Sequence, residues 1–177
     1  MSETPILSAW SSFYVMTGSS AAALVGLMFV VISLVQVREI HTTQDGITTF
    51  STPTVMHFGA VLLISAVLTA PWHRPFYAAL SVGVIGFLGV GYLVRVAYRT
   101  KQFTEYRADL DDWIWYTILP LLAYSTILIG AIVLLTLTAK ALFAIGGGVV
   151  LLLVIGIRNA WDIVTFLAAG GPSQHNG

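Results

Sequence analysis

Residues 13–37 read FYVMTGSSAAALVGLMFVVISLVQV, a run of 25 residues without a charged side chain. Since about 20 helical residues cross a bilayer core, this run alone predicts a membrane-spanning helix. Gly18, Ala22 and Gly26 recur every four residues within it and share one helix face. Small side chains of this kind let a second backbone approach closely, which holds helices together in lipid. The stretch therefore predicts a bundle of packed helices in a membrane.

The composition places the rest of the chain in the membrane as well. Of the 177 residues, 57% are hydrophobic and 9% are charged, and the mean hydropathy is +0.87, which a water-soluble domain of this size would not tolerate. Eight basic and eight acidic residues balance, which argues against nucleic acid as a partner. The absence of cysteine excludes disulfides, a thiolate nucleophile and cysteine-bound metals.

The apolar runs divide into five helices, which predicts one all-α transmembrane domain over residues 1–170. The predicted spans are 13–37, 53–71, 76–98, 113–138 and 141–167, and residues 171–177 are predicted to form a disordered tail. Thr52 followed by Pro53 is typical of a helix start. Pro71 and Pro75 flank three residues and predict a tight turn. Lys140 predicts the break between the last two spans, because without a break this charged residue would lie in the middle of one long apolar segment.

The distribution of basic residues predicts the orientation of the bundle. With five spans, six basic residues fall on the side of the C-terminus and two on the other, the six being Arg38, Arg95, Arg99, Lys101, Arg107 and Arg158. Arg74 and Lys140 are the two. The positive-inside rule then places the N-terminus outside and the C-terminus in the cytoplasm.

Three stretches carry a resemblance to a group of proteins. The first helix contains GLMFVVISL at residues 26–34, the fourth region reads DDWIWY at 111–116 followed by LPLLAY at 119–124, and the last helix contains GIRNAWDIVT at 156–165. With these motifs the chain resembles an uncharacterised group of small bacterial inner-membrane proteins, and the likeness spans most of its length. Histidine is usual in that group where this chain has Tyr116 and Arg158. The resemblance implies a multi-pass protein of the bacterial inner membrane and implies no mechanism.

The second span carries one polar stripe on an otherwise apolar helix. Thr54, His57, Ser65 and Thr69 fall on the same side at 100° per residue, which predicts that this side faces the bundle interior. One interpretation is a wet path or ligand groove, with His57 near its cytoplasmic mouth. The favoured alternative is structural: the hydroxyls bond carbonyls of their own helix, and His57 reaches interfacial water.

A polar cluster is predicted at the cytoplasmic end of the bundle. Its members are Arg38, Arg95, Arg99, Arg158, Asn159 and Asp162, and the spacing of four between Arg158 and Asp162 predicts an ion pair. It could act as a gate, a lipid headgroup site or a docking surface. The favoured interpretation is an interfacial layer that fixes helix depth.

Other candidate sites are weaker. Glu105, Asp109 and Asp112 would share a helix face, but acids before a helix more often complement its dipole than bind a cation. His57 and His73 are too far apart to share a ligand, and His41 and His175 lie in a loop and the tail. The sequence therefore predicts neither a metal site nor a cofactor.

Seams of small residues predict how the helices pack. On the fifth helix Ala144, Gly148 and Gly156 are expected to match Gly18, Ala22 and Gly26 on the first. Pro120 lies inside the fourth span and predicts a kink there.

The functional prediction depends mainly on what the spans lack. No span carries Asp, Glu or Lys near its centre, which argues against ion-coupled transport, and no catalytic or nucleotide motif can be assembled. The sequence predicts a non-catalytic accessory or assembly bundle that binds another membrane component, either a membrane protein or a second copy of this chain. The rival is an oligomeric channel or small-solute pathway lined by the stripe of the second helix.

Overall fold

The computed structural model describes residues 5–37, 44–102, 113–136 and 138–168, with side chains over 7–33, 53–98, 113–136 and 139–165. These residues form five helices and no strand. Helix α1 is Pro5–Val37, α2 is Gln44–Thr69, α3 is Pro75–Gln102, and α5 is Thr138–Ala168. Helix α4 begins as a π-helix over Ile114–Ile118 and continues as an α-helix over Leu119–Val133. The predicted all-α bundle is confirmed.

Four helices are long and apolar enough to cross a membrane, over Leu7–Ser33, Pro75–Tyr98, Ile114–Val133 and Ala139–Thr165. The chain is therefore an integral membrane protein. The apolar part of α2, Pro53–Thr69, is shorter. At 1.5 Å per residue it spans about 25 Å, slightly less than the roughly 30 Å of a hydrocarbon core. One side of this short helix is buried against its neighbours, while Met56, Leu62 and Leu63 are exposed on the other side.

Contacts between glycines and opposing side chains fix the direction of each helix. Gly18 of α1 lies against Ser65 of α2, and Ser8 lies beside Thr69, so this pair is antiparallel. Gly130 of α4 lies against Ile145 of α5 and Ile127 against Gly148, so that pair is antiparallel as well. Gly83, Gly86 and Gly89 of α3 meet Ala131, Leu128 and Tyr124 of α4 in reverse order. Trp10 of α1 packs on Phe143 of α5, so the starts of these two helices lie at the same end of the bundle.

The described chain thus runs up and down five times, and its two ends lie at opposite ends of the bundle. We call these the Trp10 end, which also holds Trp72 and Phe143, and the Arg158 end, which also holds Trp115 and Asp162. Arg95 and Arg158 lie towards the second end, Arg74 and Lys140 towards the first. Which end faces the cytoplasm stays a prediction.

The observed helix bounds correct three of the predicted ones. Helix α1 begins at Pro5 instead of residue 13. Helix α2 begins at Gln44, so Pro53 lies inside it and does not start it. A proline removes a single N–H bond, and a helix can continue past it where the freed carbonyl finds another partner. The last break falls at residues 134–136, before Lys140, which belongs to α5. The tight turn before Pro75 is confirmed.

The core lies where α2 and α5 meet the other helices. Its fully buried side chains include Phe58, Val61 and Ile64 of α2 and Ile145, Val149, Leu152 and Ile155 of α5. Helix α3 adds Ala78, Ala79, Val82 and Leu93 to this core. It turns Phe76, Leu80, Phe87 and Leu88 outward. This packing places the polar stripe of α2 inside the protein.

Candidate functional site

The polar stripe of α2 lies mostly in the interior. Thr54, His57 and Ser65 are buried, whereas Thr69 is exposed near the end of the helix. Thr69 Oγ1 donates to the carbonyl of Ser65 at 2.9 Å, the internal bond that a structural interpretation predicts. The stripe is therefore not one uniform surface. Its buried parts, at Ser65 and at His57, have different partners.

At the level of Ser65, hydroxyl groups join α1 to α2 directly. Ser65 Oγ and Thr17 Oγ1 lie 3.1 Å apart, and Thr17 Oγ1 also donates to the carbonyl of Phe13 at 3.1 Å. The bare backbone at Gly18 makes this approach feasible, because a Cβ there would lie 2.8 Å from Ser65 Cβ. These side chains form a satisfied contact between two helices.

At the level of His57, the stripe meets α4. The Nδ1 atom of His57 lies 3.1 Å from the hydroxyl oxygen of Tyr124, and both side chains are buried. The ring of Tyr124 rests on Gly89 of α3, where a Cβ would overlap it. Three helices thus meet at one hydrogen bond. Sequence reasoning did not assign Tyr124 to the site, because a lone tyrosine in a span shows no sign of its long-range partner.

Asn159, which the sequence analysis placed in the polar cluster at the cytoplasmic end, lies in the interior. Asn159 is 0% exposed, whereas Arg158 and Asp162 beside it are partly exposed. A helix turns 100° per residue, so neighbours of a surface residue can point inward. Among the described residues, neither the Asn159 amide oxygen and nitrogen nor His57 Nε2 has a hydrogen-bond partner. Unpaired polar atoms are costly in a membrane interior and call for an explanation.

The predicted ion pair is present at the Arg158 end. Arg158 Nε lies 3.8 Å from Asp162 Oδ2, and the guanidinium carbon of Arg158 lies 4.5 Å from the ring centroid of Trp115. Trp115 lies in the π-helical turn, in which the Leu119 N–H reaches back five residues to the Ile114 carbonyl. Arg95 is exposed on α3. Arg38 lies outside the described residues, as does the Arg99 side chain, so the full predicted cluster is not seen.

The remaining titratable candidates do not add to this site. His73 is exposed in the turn before α3, and Glu105, Asp109, Asp112, His41 and His175 lie outside the described residues. Within the part of the chain that the structure describes, no group of three or more His, Asp or Glu side chains is arranged to hold a metal ion.

The small residues of α1 do not form one seam. Gly18 and Ala21 face the bundle, but Ala22 and Gly26 are exposed, and a Cβ at Gly26 would meet nothing within 4 Å. The two glycines of α5 that were expected to match α1 pack on other helices. Gly148 packs on Ala123 and Ile127 of α4, Gly156 packs on Phe58 of α2, and Ala144 is half-buried. Periodicity indicates which side of a helix is small, but not which helix it meets.

Part of the outward face of α1 is consequently made of small side chains. Ser19, Ser20, Ala22, Ala23 and Gly26 are all exposed there. We call these five residues the small face of α1.

No family model matches the chain, and neither a curated protein nor a solved structure shows significant similarity to it.

Proposed function

We propose that the protein is a non-catalytic accessory or assembly bundle that binds another membrane component, with the small face of α1 as its contact surface. The observation that carries this proposal is the exposure of that face. In a membrane, small side chains are enriched where one helix packs against another. A second transmembrane helix, from another protein or from a second copy of the chain, is the component that fits it.

The contrast with α3 supports this choice of surface. The outward side of α3 carries large apolar side chains such as Phe76, Leu80 and Phe87, which suit contact with lipid tails. On α1 the exposed Gly26 lies one helical turn from the exposed Ala22 and Ala23. On α3 Gly91 is equally bare, but the large side chains of Phe87, Leu88 and Val94 are exposed around it. A partner helix could approach α1 there more closely than it could approach α3.

The packed interior favours binding over the rival channel. Between the two polar levels of α2, Phe58, Val61 and Ile64 are fully buried, and Ser65 already bonds Thr17. A solute path along the stripe would have to displace these side chains. The channel therefore remains the second candidate, supported only by the stripe itself.

We further propose that the membrane is the bacterial inner membrane and that the C-terminus lies in the cytoplasm. The excess of basic residues on one side of the predicted topology supports the orientation. The resemblance to small inner-membrane proteins supports the location. Reporter fusions at both termini would test both proposals.

The contact surface can be tested with matched glycine variants. Gly26→Leu fills the small face of α1, whereas Gly91→Leu makes the same change on α3, where a Cβ would also meet nothing within 4 Å. After solubilisation in a gentle detergent, we expect Gly26→Leu to weaken association with the partner or second copy by about tenfold or more, about 1.4 kcal/mol. Gly91→Leu should bind as the parent does, and all three proteins should melt alike.

Two results would contradict the proposal. One is a parent protein that stays a lone monomer at every concentration and is extracted without a partner. The other is an equal loss of binding in both leucine variants. Liposome flux tests the rival: a conductance that His57→Leu or Ser65→Leu abolishes would make the channel the better function.

A further inference from the structure

His57 and Asn159 have buried atoms to which no described residue bonds, and these atoms define the chemistry of an internal site. Because His57 Nδ1 is engaged with Tyr124, Nε2 is left to donate or to accept, according to the ring tautomer. The Asn159 amide offers both a donor and an acceptor. A neutral molecule that donates and accepts at once, and that is very small, matches this set.

Helix periodicity places the two side chains at one crossing. Asn159 follows Gly148 by eleven residues, about three helical turns, so it points towards α4 as Gly148 does. It also follows Gly156 by three residues, and Gly156 packs on Phe58, the neighbour of His57. Both residues therefore lie where α2, α4 and α5 meet.

The surroundings of this crossing differ in the two directions along the bundle. Towards the membrane centre, Val61 and Ile64 are fully buried and separate His57 from Ser65. Towards the Arg158 end, Asp162 lies one turn beyond Asn159 with its side chain 42% exposed. The aqueous phase is thus close to the crossing on the side of the Arg158 end. On the other side, packed apolar side chains separate the crossing from water.

We propose that His57 and Asn159 form an internal hydration site, in which water entering from the Arg158 end bonds to His57 Nε2 and to the Asn159 amide. A buried water typically makes about three hydrogen bonds to polar groups that lack other partners. The stripe of α2 is then wet at His57 and dry at Ser65. This inference is independent of the partner-binding function.

Solid-state NMR of the full chain in liposomes tests the site directly. The chain has four histidines and only two asparagines, Asn159 and Asn176, so ¹⁵N labelling of these two residue types gives few signals. We expect magnetisation to pass from water to His57 Nε2 and Asn159 Nδ2. His73, which is exposed, serves as the wet reference. Transfer to His73 without transfer to either interior side chain would overturn the proposal.

A leucine variant gives a second, opposed readout. If water occupies the site, Asn159→Leu expels it and leaves His57 Nε2 without a partner, so the thermal midpoint should fall by about 2–4 °C, the shift expected for ~1 kcal/mol. If the amide is buried dry, the same change removes an unpaired group, and the midpoint should rise. Thr165→Leu, an exposed polar position on the same helix, should change the midpoint little. A rise in the midpoint would overturn the proposal.

Discussion

The two halves of this bundle treat buried polar atoms differently. Towards the Trp10 end, such atoms meet protein partners: Thr17 lies against Ser65, and Tyr14 donates to the Leu142 carbonyl at 3.4 Å. The half-buried Trp72 donates from Nε1 to the Val67 carbonyl at 2.6 Å. Towards the Arg158 end, His57 has one partner in Tyr124 and keeps a second nitrogen unpaired, and Asn159 is unpaired among the described residues.

In the half near the Trp10 end, hydrogen bonds join the helices directly. In the half near the Arg158 end, some buried donors and acceptors bond to no described residue. In lipid, direct bonds between helices fix their positions, because few alternative partners exist. Unpaired polar atoms and a π-helical turn are costly and recur at functional sites. We therefore expect substitutions at the Arg158 end to affect more than the stability of the packed helices.

The largest effect should come from the scaffold that both halves share. Gly148→Val would push a side chain against the Ala123 carbonyl, which lies 2.9 Å from the Cβ position, and against Ile127. Overpacking of this kind costs about 2–3 kcal/mol, to be measured as the change in unfolding free energy in detergent. Gly147→Val is the control, since its Cβ would meet nothing within 4 Å. Equal losses in both variants would contradict the observed packing of α5 on α4.

Tyr124→Phe tests the bond of the Arg158 half. The variant keeps the ring on Gly89 but leaves His57 Nδ1 without a partner, which should cost about 1–2 kcal/mol. Tyr98→Phe, at an exposed position, should have little effect. Thermal unfolding of the two variants measures the difference. A cost no larger than that of Tyr98→Phe would mean that His57 is equally well satisfied without Tyr124.

Ser65→Ala tests the bond of the Trp10 half, where the effect should be smaller. Thr17 keeps its bonds to the Phe13 and Tyr14 carbonyls after the change, so little polarity is left unpaired. Interhelical hydrogen bonds in membranes contribute about 0.6 kcal/mol on average, and we expect a loss of that size in unfolding free energy. Ser81→Ala, which removes only a bond within α3, is the control. A loss greater than that of Tyr124→Phe would reverse the comparison.

Asp162→Asn should have the smallest effect. The ion pair with Arg158 is partly exposed, and pairs of this kind contribute about 0–1 kcal/mol. The contact between Arg158 and Trp115 remains in the variant. The thermal midpoint should change little, and raising the salt concentration should remove the change. A large loss that salt does not alter would show that the pair is part of the packed structure.

The fold could be predicted from the sequence because lipid demands long apolar helices and allows few alternatives. The five helices and the turn before Pro75 follow from that demand. The start of α2 did not, because the polar residues before Pro53 continue a helix that no apolar pattern marks. The sequence indicated that the glycines of α5 are positions of close helix packing. It did not indicate their neighbours, which depend on how five helices are arranged in space.

The candidate site was predicted only in part, for a related reason. The buried face of α2 follows from its period, so Thr54, His57 and Ser65 were found together. Tyr124 and Asn159 were not assigned to it, because their burial depends on contacts between residues distant in sequence. Asn159 in particular lies between charged neighbours, and only the rotation of α5 about its axis turns it inward.

The π-helical turn at Ile114–Ile118 carries one residue more than an α-helical turn would hold. Deleting a single residue there would restore ordinary spacing and rotate the preceding segment by about 100° about the α4 axis. Trp115 would then swing away from Arg158, while the helix from Leu119 onward would keep its packing. The number of residues in this one turn therefore decides whether Trp115 points towards Arg158. A deletion there would change the direction of Trp115 and leave the packing of the helix from Leu119 onward unchanged.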